Sequence, residues 1–225
     1  MKKLFILLFT SSFLSAAAQN SARIYIEKYK DIAIEQMNEY GLPASVILGV
    51  SMHESGNGTS KIARYLNNHF GMKGKNSSTE IRSSYRGYES VKESYDDFIG
   101  AMNRSKKFRE LFTQFSDYDY RNWVLGIQRG GYAASKTWGS QVLATIRKYK
   151  LYEYDNRPEN YTEPAGYDNP IGPAKAPAAS SSIYKVKKGD TLLAIAKRFG
   201  ISLKYLMSKN SLSNSHLAIG QILKL

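Results

Sequence analysis

The chain has 225 residues and no cysteine. Disulfides, thiol nucleophiles and cysteine-ligated zinc are therefore excluded. Histidine is scarce: His53, His69 and His216 show no ligand spacing, and neither a metal nor another cofactor is expected. Long apolar runs are missing beyond the N-terminus. There, Lys2 and Lys3 precede an apolar run from Leu4 to Leu14, followed by Ala16-Ala17-Ala18. That order predicts a secretory signal peptide over residues 1–18, with the mature chain starting near Gln19 and working in the periplasm, the cell envelope or outside. The run is too short for an ordinary spanning helix, so no stable membrane insertion is expected after its removal. No cysteine follows the small residues, which excludes a cysteine-linked lipid anchor there.

Acidic residues are also in short supply. Nineteen Asp and Glu against 32 Lys and Arg leave a formal charge of +13, and residues 184–225 alone hold eight Lys or Arg and one Asp. So basic a surface suits polyanions. An exported chain meets acidic wall material rather than nucleic acid, so no nucleic-acid partner is expected. On charge alone, a merely soluble basic surface remains the alternative.

Proline is nearly absent from the body of the chain. Pro43 stands alone, while Pro158, Pro164, Pro170, Pro173 and Pro177 crowd between Arg157 and Ser182 among alanine, glycine and serine. That composition predicts a linker over residues 157–182, separating a body of residues 19–156 from a module of residues 183–225.

In the body, residues 41–75 carry the chemistry. Pro43 suits the first turn of a helix. Val46, Ile47, Leu48, Val50 and Met52 then cover most of its circumference, so this helix should be buried. It ends at Glu54, before Ser55, Gly56 and Gly58. A carboxylate at the mouth of an apolar segment is partly desolvated, which favours the proton-bearing form that a general acid needs. A solvated helix-end glutamate is the plainer alternative. Elsewhere the periodicity predicts helices over Ala22–Tyr40, Val91–Met102, Lys107–Phe115, Tyr120–Ile127 and Thr137–Tyr149, and a short one from a Ser60 cap to Leu66. Phe70–Met72 and Glu80–Tyr88 read as two strands of a small hairpin turning at Gly74–Ser78.

Glu54-Ser55, the helix at Ala63, Asn67-Asn68, Phe70-Gly71 and Lys73 together resemble the signature of the bacterial endo-β-N-acetylglucosaminidases that cut peptidoglycan. This is glycoside hydrolase family 73, the type that includes the flagellar-rod muramidase. The resemblance implies an α+β, lysozyme-like fold, mostly helical with a small β-hairpin, in which Glu54 is the general acid. Tyr85-Arg86-Gly87-Tyr88, with Ser90, Ser94 and Asp97 after it, resembles the family's aromatic-Arg-x-Tyr stretch. A hairpin glutamate upstream of that stretch has been given the second catalytic role, which points to Glu80. Two other readings stay open: an exposed strand glutamate, and a family mechanism in which the substrate's own acetamido group is the nucleophile. Gly130-Gly131-Tyr132-Ala133 resembles the family's Gly-Tyr-Ala, whose tyrosine lines the cleft. The family continues with Thr-Asp-Pro, whereas Ala134-Ser135-Lys136 stands here. Tyr132, Tyr88, Asn68 and Phe70 are thereby the substrate-binding candidates. Asp96 and Asp97 are expected to serve structure, at least one by holding Arg86 or a helix start. Trp123 and Trp138 are assigned to the core, and His53 receives no catalytic role.

In the C-terminal module, the Gly189-Asp190-Thr191-Leu192 start, the helix carrying Ile195, Ala196, Phe199 and Gly200, and the Gly220-Gln221-Ile222-Leu223 end resemble a lysin-motif (LysM) domain of βααβ topology. Asp190 or Thr191 can cap its first helix and Ser202 its second. The resemblance implies a groove for N-acetylglucosamine polymers formed by Gly189, Asp190, Thr191 and Leu192 with Ala218, Ile219 and Gly220. The expected partner is peptidoglycan or other glycan containing N-acetylglucosamine. Two rivals remain on sequence: a lytic transglycosylase, whose Glu-Ser typically continues into Gly-Leu-Met-Gln, and a binding protein with an inactive hydrolase domain.

Overall fold

The computed structural model describes residues 5–158, 161–163, 183–187, 189–199, 201, 203–212 and 214–225, with side chains from Asn20 onward. Most of the expected linker, with Pro164, Pro170, Pro173 and Pro177, lies outside them, as do Gly200 and Ser202.

Eight helices make the body: α1 (Phe5–Tyr40), α2 (Ala44–Ser55), α3 (Lys61–Leu66), α4 (Val91–Arg104), α5 (Lys106–Arg109), α6 (Leu111–Gln114), α7 (Tyr120–Arg129) and α8 (Trp138–Lys148), followed by a 3-10 turn at Leu151–Tyr154. Among the described residues no helix is long and apolar enough to cross a membrane.

The centre is α2. Every residue from Ala44 to Met52 is buried, and the helix packs against α1, α7, α8 and the 3-10 turn. Gly49 allows a close approach of α8. A methyl group there would lie 2.7 Å from Ile146 Cγ1 of α8. Pro43 gives no side-chain cap. Instead Asp155, 110 residues downstream, accepts the Ser45 N–H (2.8 Å) and the Ser45 hydroxyl (2.6 Å). The C-terminal end of the body thus closes the start of its central helix, satisfying a donor that would otherwise be buried without a partner.

Two expected elements come out differently. The helix expected over Lys107–Phe115 is split into α5 and α6, each laying one apolar side chain on a glycine of the α7 segment. Phe108 covers Gly130 and Leu111 covers Gly126, where added methyl groups would sit 2.2 Å and 2.7 Å away. The expected hairpin strands do not form. Antiparallel pairing is reduced to one bridge, Lys73 with Tyr85, flanked by Gly74 N–H to Ser84 O (3.0 Å) and Arg86 N–H to Met72 O (2.8 Å). Asparagine side chains take up carbonyls that a ladder would use. Asn76 Nδ2 donates to Ser83 O and Tyr85 O, and Asn68 Nδ2 donates to Met72 O and Arg86 O.

Residues 157, 158 and 161–163, expected to open the linker, lie against the body. The Arg157 guanidinium sits 4.4 Å from the Tyr152 ring centre and 4.9 Å from that of Tyr161, and pairs with Glu163 at 2.7 Å.

The C-terminal module has the expected βααβ order: β1 (Ile183–Lys185), α9 (Leu192–Arg198), α10 (Leu203–Lys209) and β2 (Ile222–Lys224), with Tyr184 opposite Leu223 in an antiparallel pair. Tyr184, Leu192, Ile195, Leu206 and Leu223 form a core of their own. The α10 helix also touches α1 and α6, and Tyr118 of the body packs on the edge of this second core.

Burial pushes the Asp155 carboxyl from its ordinary 3.8 up to about 8, against the opposing pull of the two Ser45 bonds. Between those values the folded chain keeps a proton that the unfolded chain releases. This group's stabilisation is therefore complete below the lower value and is lost as pH rises through the upper one. Asp155→Asn mimics the protonated form. In urea unfolding it should match the natural chain at about pH 3 and be the more stable at about pH 9. A natural chain that gained on the variant with rising pH would show that the carboxylate is held charged.

Candidate active site

The α2 helix delivers Glu54 one residue before its end, where the chain turns away through Gly56 in the left-handed conformation (φ +59°). Ser55 builds that turn. Its hydroxyl donates to Ser51 O (2.6 Å) and accepts the Gly58 N–H (2.8 Å). Beneath lies a buried polar cluster. Tyr95 donates to Ser51 Oγ (2.9 Å), and the Tyr25 hydroxyl meets Tyr95 (3.1 Å) and His69 Nδ1 (2.6 Å). Burial, with Lys28 nearby, lowers the His69 ring to about 4, so it stays neutral and serves the cluster as a hydrogen-bonding group. The helix end is thus fixed by α1, α4 and the segment after α3 at once.

Glu54 is half-buried, and its Oε1 accepts the indole N–H of Trp138 at 2.8 Å. Its Oε2 faces Gly71. A methyl group built on that glycine would be 3.7 Å from Oε2 and 3.8 Å from Tyr85 Cε1. No side chain of Gly71 intervenes, and its φ of +65° is one that residues with a Cβ adopt only under strain. Beside it, Lys73 Nζ stands 3.5 Å from the centre of the Tyr85 ring.

Tyr132 belongs to this group. Its ring lies 5.3 Å from Trp138 and edge-on to Phe98 at 5.8 Å, while its hydroxyl donates to Phe70 O at 3.1 Å. Burial first, and the Glu54 charge second, push its phenol well above the usual value, so it remains a neutral donor.

The other candidates sit elsewhere. Tyr88 donates to Asp97 Oδ2 at 2.8 Å and lines a groove of about 620 Å³ with Tyr65, Asn76, Ser78, Glu89 and Glu93; Glu54 is not in its wall. Asp97 also holds Arg86 (2.6 Å) and Arg104 (2.9 Å), the structural part expected of it. Burial works against its ionisation, but the Tyr88 bond and the two arginines outweigh that and lower its carboxyl. Asp96 takes Lys92 and Gln36. Glu80 is exposed on the loop, its backbone N–H donating to Ser78 Oγ at 3.2 Å.

Asn68 and Phe70 face inward, which corrects their assignment to sugar contact. Asn68 is 1% exposed, with its amide spent on Met72 and Arg86; Phe70 is 2% exposed and stacked on Phe98 at 4.2 Å. Neither surface is free for a glycan, and both shape the Gly71 turn.

Trp138 was missed as a site residue. It is buried as expected, yet its one polar atom is aimed at the acid. Trp123, the other tryptophan, points its N–H at Ser116 O (3.0 Å), as an interior indole does. His53 is exposed, edge-on to Trp138 at 6.5 Å.

In the C-terminal module, Thr191 caps α9 by accepting the Ala194 N–H, and Asp190 accepts from Lys187 N–H and Tyr184 OH. Gly189, Thr191, Ala218 and Ile219 are exposed, Ile219 at 70%, and Gly220 N–H bonds Val186 O (2.8 Å). Leu192 is 1% exposed and belongs to the module's core, a correction to its place in the groove.

A carboxylic acid delivered by a buried helix to an aromatic-lined surface, in a mostly helical lysozyme-like body, is the arrangement of a glycoside hydrolase. A family model described as mannosyl-glycoprotein endo-beta-N-acetylglucosaminidase matches residues 30–151, and a LysM model matches residues 184–225. The chain belongs to the glucosaminidase family, glycoside hydrolase family 73, and ends in a LysM domain. It is 27% identical over 213 residues to an autolysin of Enterococcus faecalis, covering 84% of this chain and 28% of that protein. It is 26% identical over 247 aligned residues to a probable N-acetylmuramidase of Lactococcus lactis, covering 98% of this chain and 54% of that protein. The chain therefore spans about half or less of the length of these relatives. Among solved structures it resembles the catalytic domain of the autolysin Auto from Listeria monocytogenes, with TM-score 0.51 and 23% identity over 60% of this chain and 88% of that one. It also resembles an N-acetylmuramoyl-L-alanine amidase from Staphylococcus aureus, with TM-score 0.53 and 19% identity over 71% of this chain and 49% of that one. Both structural likenesses concern the fold.

Asn68→Ala would strip its three hydrogen bonds from the Gly71 turn. The expected cost is about 2–3 kcal/mol in chemical unfolding, the scale for losing buried bonds together. A cost below about 0.5 kcal/mol would mean that water replaces the amide freely.

Proposed function

We propose that the chain is an exported peptidoglycan hydrolase that cuts the glycan strand at N-acetylglucosamine linkages, with Glu54 as the general acid. The observation that carries this reading is the placement of Glu54: it ends a buried helix, with one oxygen tied to Trp138 and the other turned toward the open Gly71 turn. In the reaction Glu54 gives its proton to the bridging glycosidic oxygen as that bond breaks. Water completes the cleavage and leaves a reducing N-acetylglucosamine end. Tyr132 and Tyr85 flank the acid and supply ring faces for sugar planes. The LysM domain holds the enzyme on glycan and raises its local concentration there. Residues 1–18 are the export signal in this reading.

The proton-donor role is tested with purified wall. Glu54→Gln keeps the shape and removes the proton, so release of reducing ends should fall about 100- to 10,000-fold. Activity within about threefold of the natural chain would overturn the assignment. Mass spectrometry of the products reads the reaction class, since 1,6-anhydro ends in place of reducing ends would make the protein a transglycosylase.

Glu80 is tested separately. A fall of about 100-fold or more in Glu80→Gln assigns it the second carboxylate. A fall below about tenfold assigns the nucleophile to the substrate's acetamido group.

A further inference from the structure

We propose that Trp138 is a positioning residue for the acid. It selects Glu54 Oε2 as the oxygen that delivers the proton and stabilises the carboxylate left behind. This rests on Glu54 being the general acid and goes on to say how that acid is set.

An indole N–H can donate a hydrogen bond and cannot accept one. At 2.8 Å it occupies Oε1 as an acceptor, so the proton that Glu54 carries sits on Oε2. That is the oxygen facing Gly71, which has no side chain of its own to cover it. When the proton leaves, charge grows on the carboxylate. A donor already in place binds that charge more strongly than the neutral acid. The interaction thus strengthens along the reaction and acts on turnover rather than on binding.

The indole is held as tightly as the task requires. Trp138 is 2% exposed and is the first residue of α8, the helix that presses on α2 at Gly49. Donor and acceptor therefore ride on two helices locked to each other. The next residue, Gly139, is pressed by the Gln128 side chain, where an added methyl group would lie 2.1 Å from Oε1 of that residue. Gln128 in turn donates to Lys136 O at 2.8 Å and fixes the turn leading into Trp138.

The test is site-specific replacement of Trp138, in the full chain, by β-(3-benzothienyl)alanine, which keeps the bicyclic shape and puts sulfur where the N–H was. With purified glycan strands, kcat should fall about 10- to 100-fold and KM stay within about twofold, the range for losing a bond to a charged group. The alkaline limb of the kcat profile should move to higher pH by up to about one unit, because the acid keeps its proton longer without the donor. Thermal unfolding should be unchanged. An analogue with natural kcat and an unmoved limb overturns the inference. A loss of kcat with an unmoved limb overturns it too, since the ring would then only shape the site. In both cases an inactive Glu54→Gln leaves the acid assignment standing, whereas an active Glu54→Gln removes the acid and this inference together.

Discussion

The structure depends on one helix having no solvent face. From Ala44 to Met52 every residue of α2 is buried, so its stability comes from the helices packed around it. Burying side chains such as Val46, Ile47, Leu48, Val50 and Met52 contributes roughly 1.5–3 kcal/mol each. That gain is several times the cost of holding one half-buried carboxylate at the end. The chemistry exploits the asymmetry. A rigid apolar rod is the cheapest way to present an acid at a fixed point, because the rod cannot tilt without opening the core. Its two ends are finished differently: Asp155 seals the N-terminal end from within, and Gly56 turns the chain away at the other so that Glu54 emerges.

The surface opposite the acid is built by side chains where regular structure would have served. Asn67, Asn68 and Asn76 donate to loop carbonyls across the segment from Phe70 to Glu89, doing for it what a strand ladder does elsewhere. A ladder would impose a fixed pleat with alternating side chains. The asparagine clamps instead allow Gly71 its left-handed conformation beside Glu54 and let Tyr85 lie flat under Lys73.

Much of this was legible in the sequence, because periodicity and capping are local signals. The bounds of α3 and the Ser60 cap follow the reading residue for residue, and Ser60 Oγ accepts the Ala63 N–H. The βααβ order of the C-terminal module and the apolar circumference of α2 were equally plain. What escaped depends on which way a side chain faces after the chain has folded. Asn68 and Phe70 belong to the motif that marks the site, but motif membership does not distinguish a residue that touches sugar from one that shapes the loop. Trp138 was read as core, and it is; one atom of a buried ring being pointed at an acid 84 residues upstream leaves no trace in spacing. The hairpin was read from two short segments either side of the polar turn at Gly74–Ser78, a pattern that the asparagine clamps leave in place.

The two modules divide the work along a line drawn by charge. The last 42 residues carry eight cations and one acid, whereas the body presents its acid among tyrosines and an indole. A basic module is attracted to an anionic wall over about a Debye length and is released by salt. Ring faces act only at contact and discriminate by shape. In the proposed function, attraction and selection thus fall on separate surfaces. The Arg157 contacts carry the packing of the body on to Tyr161 and Glu163.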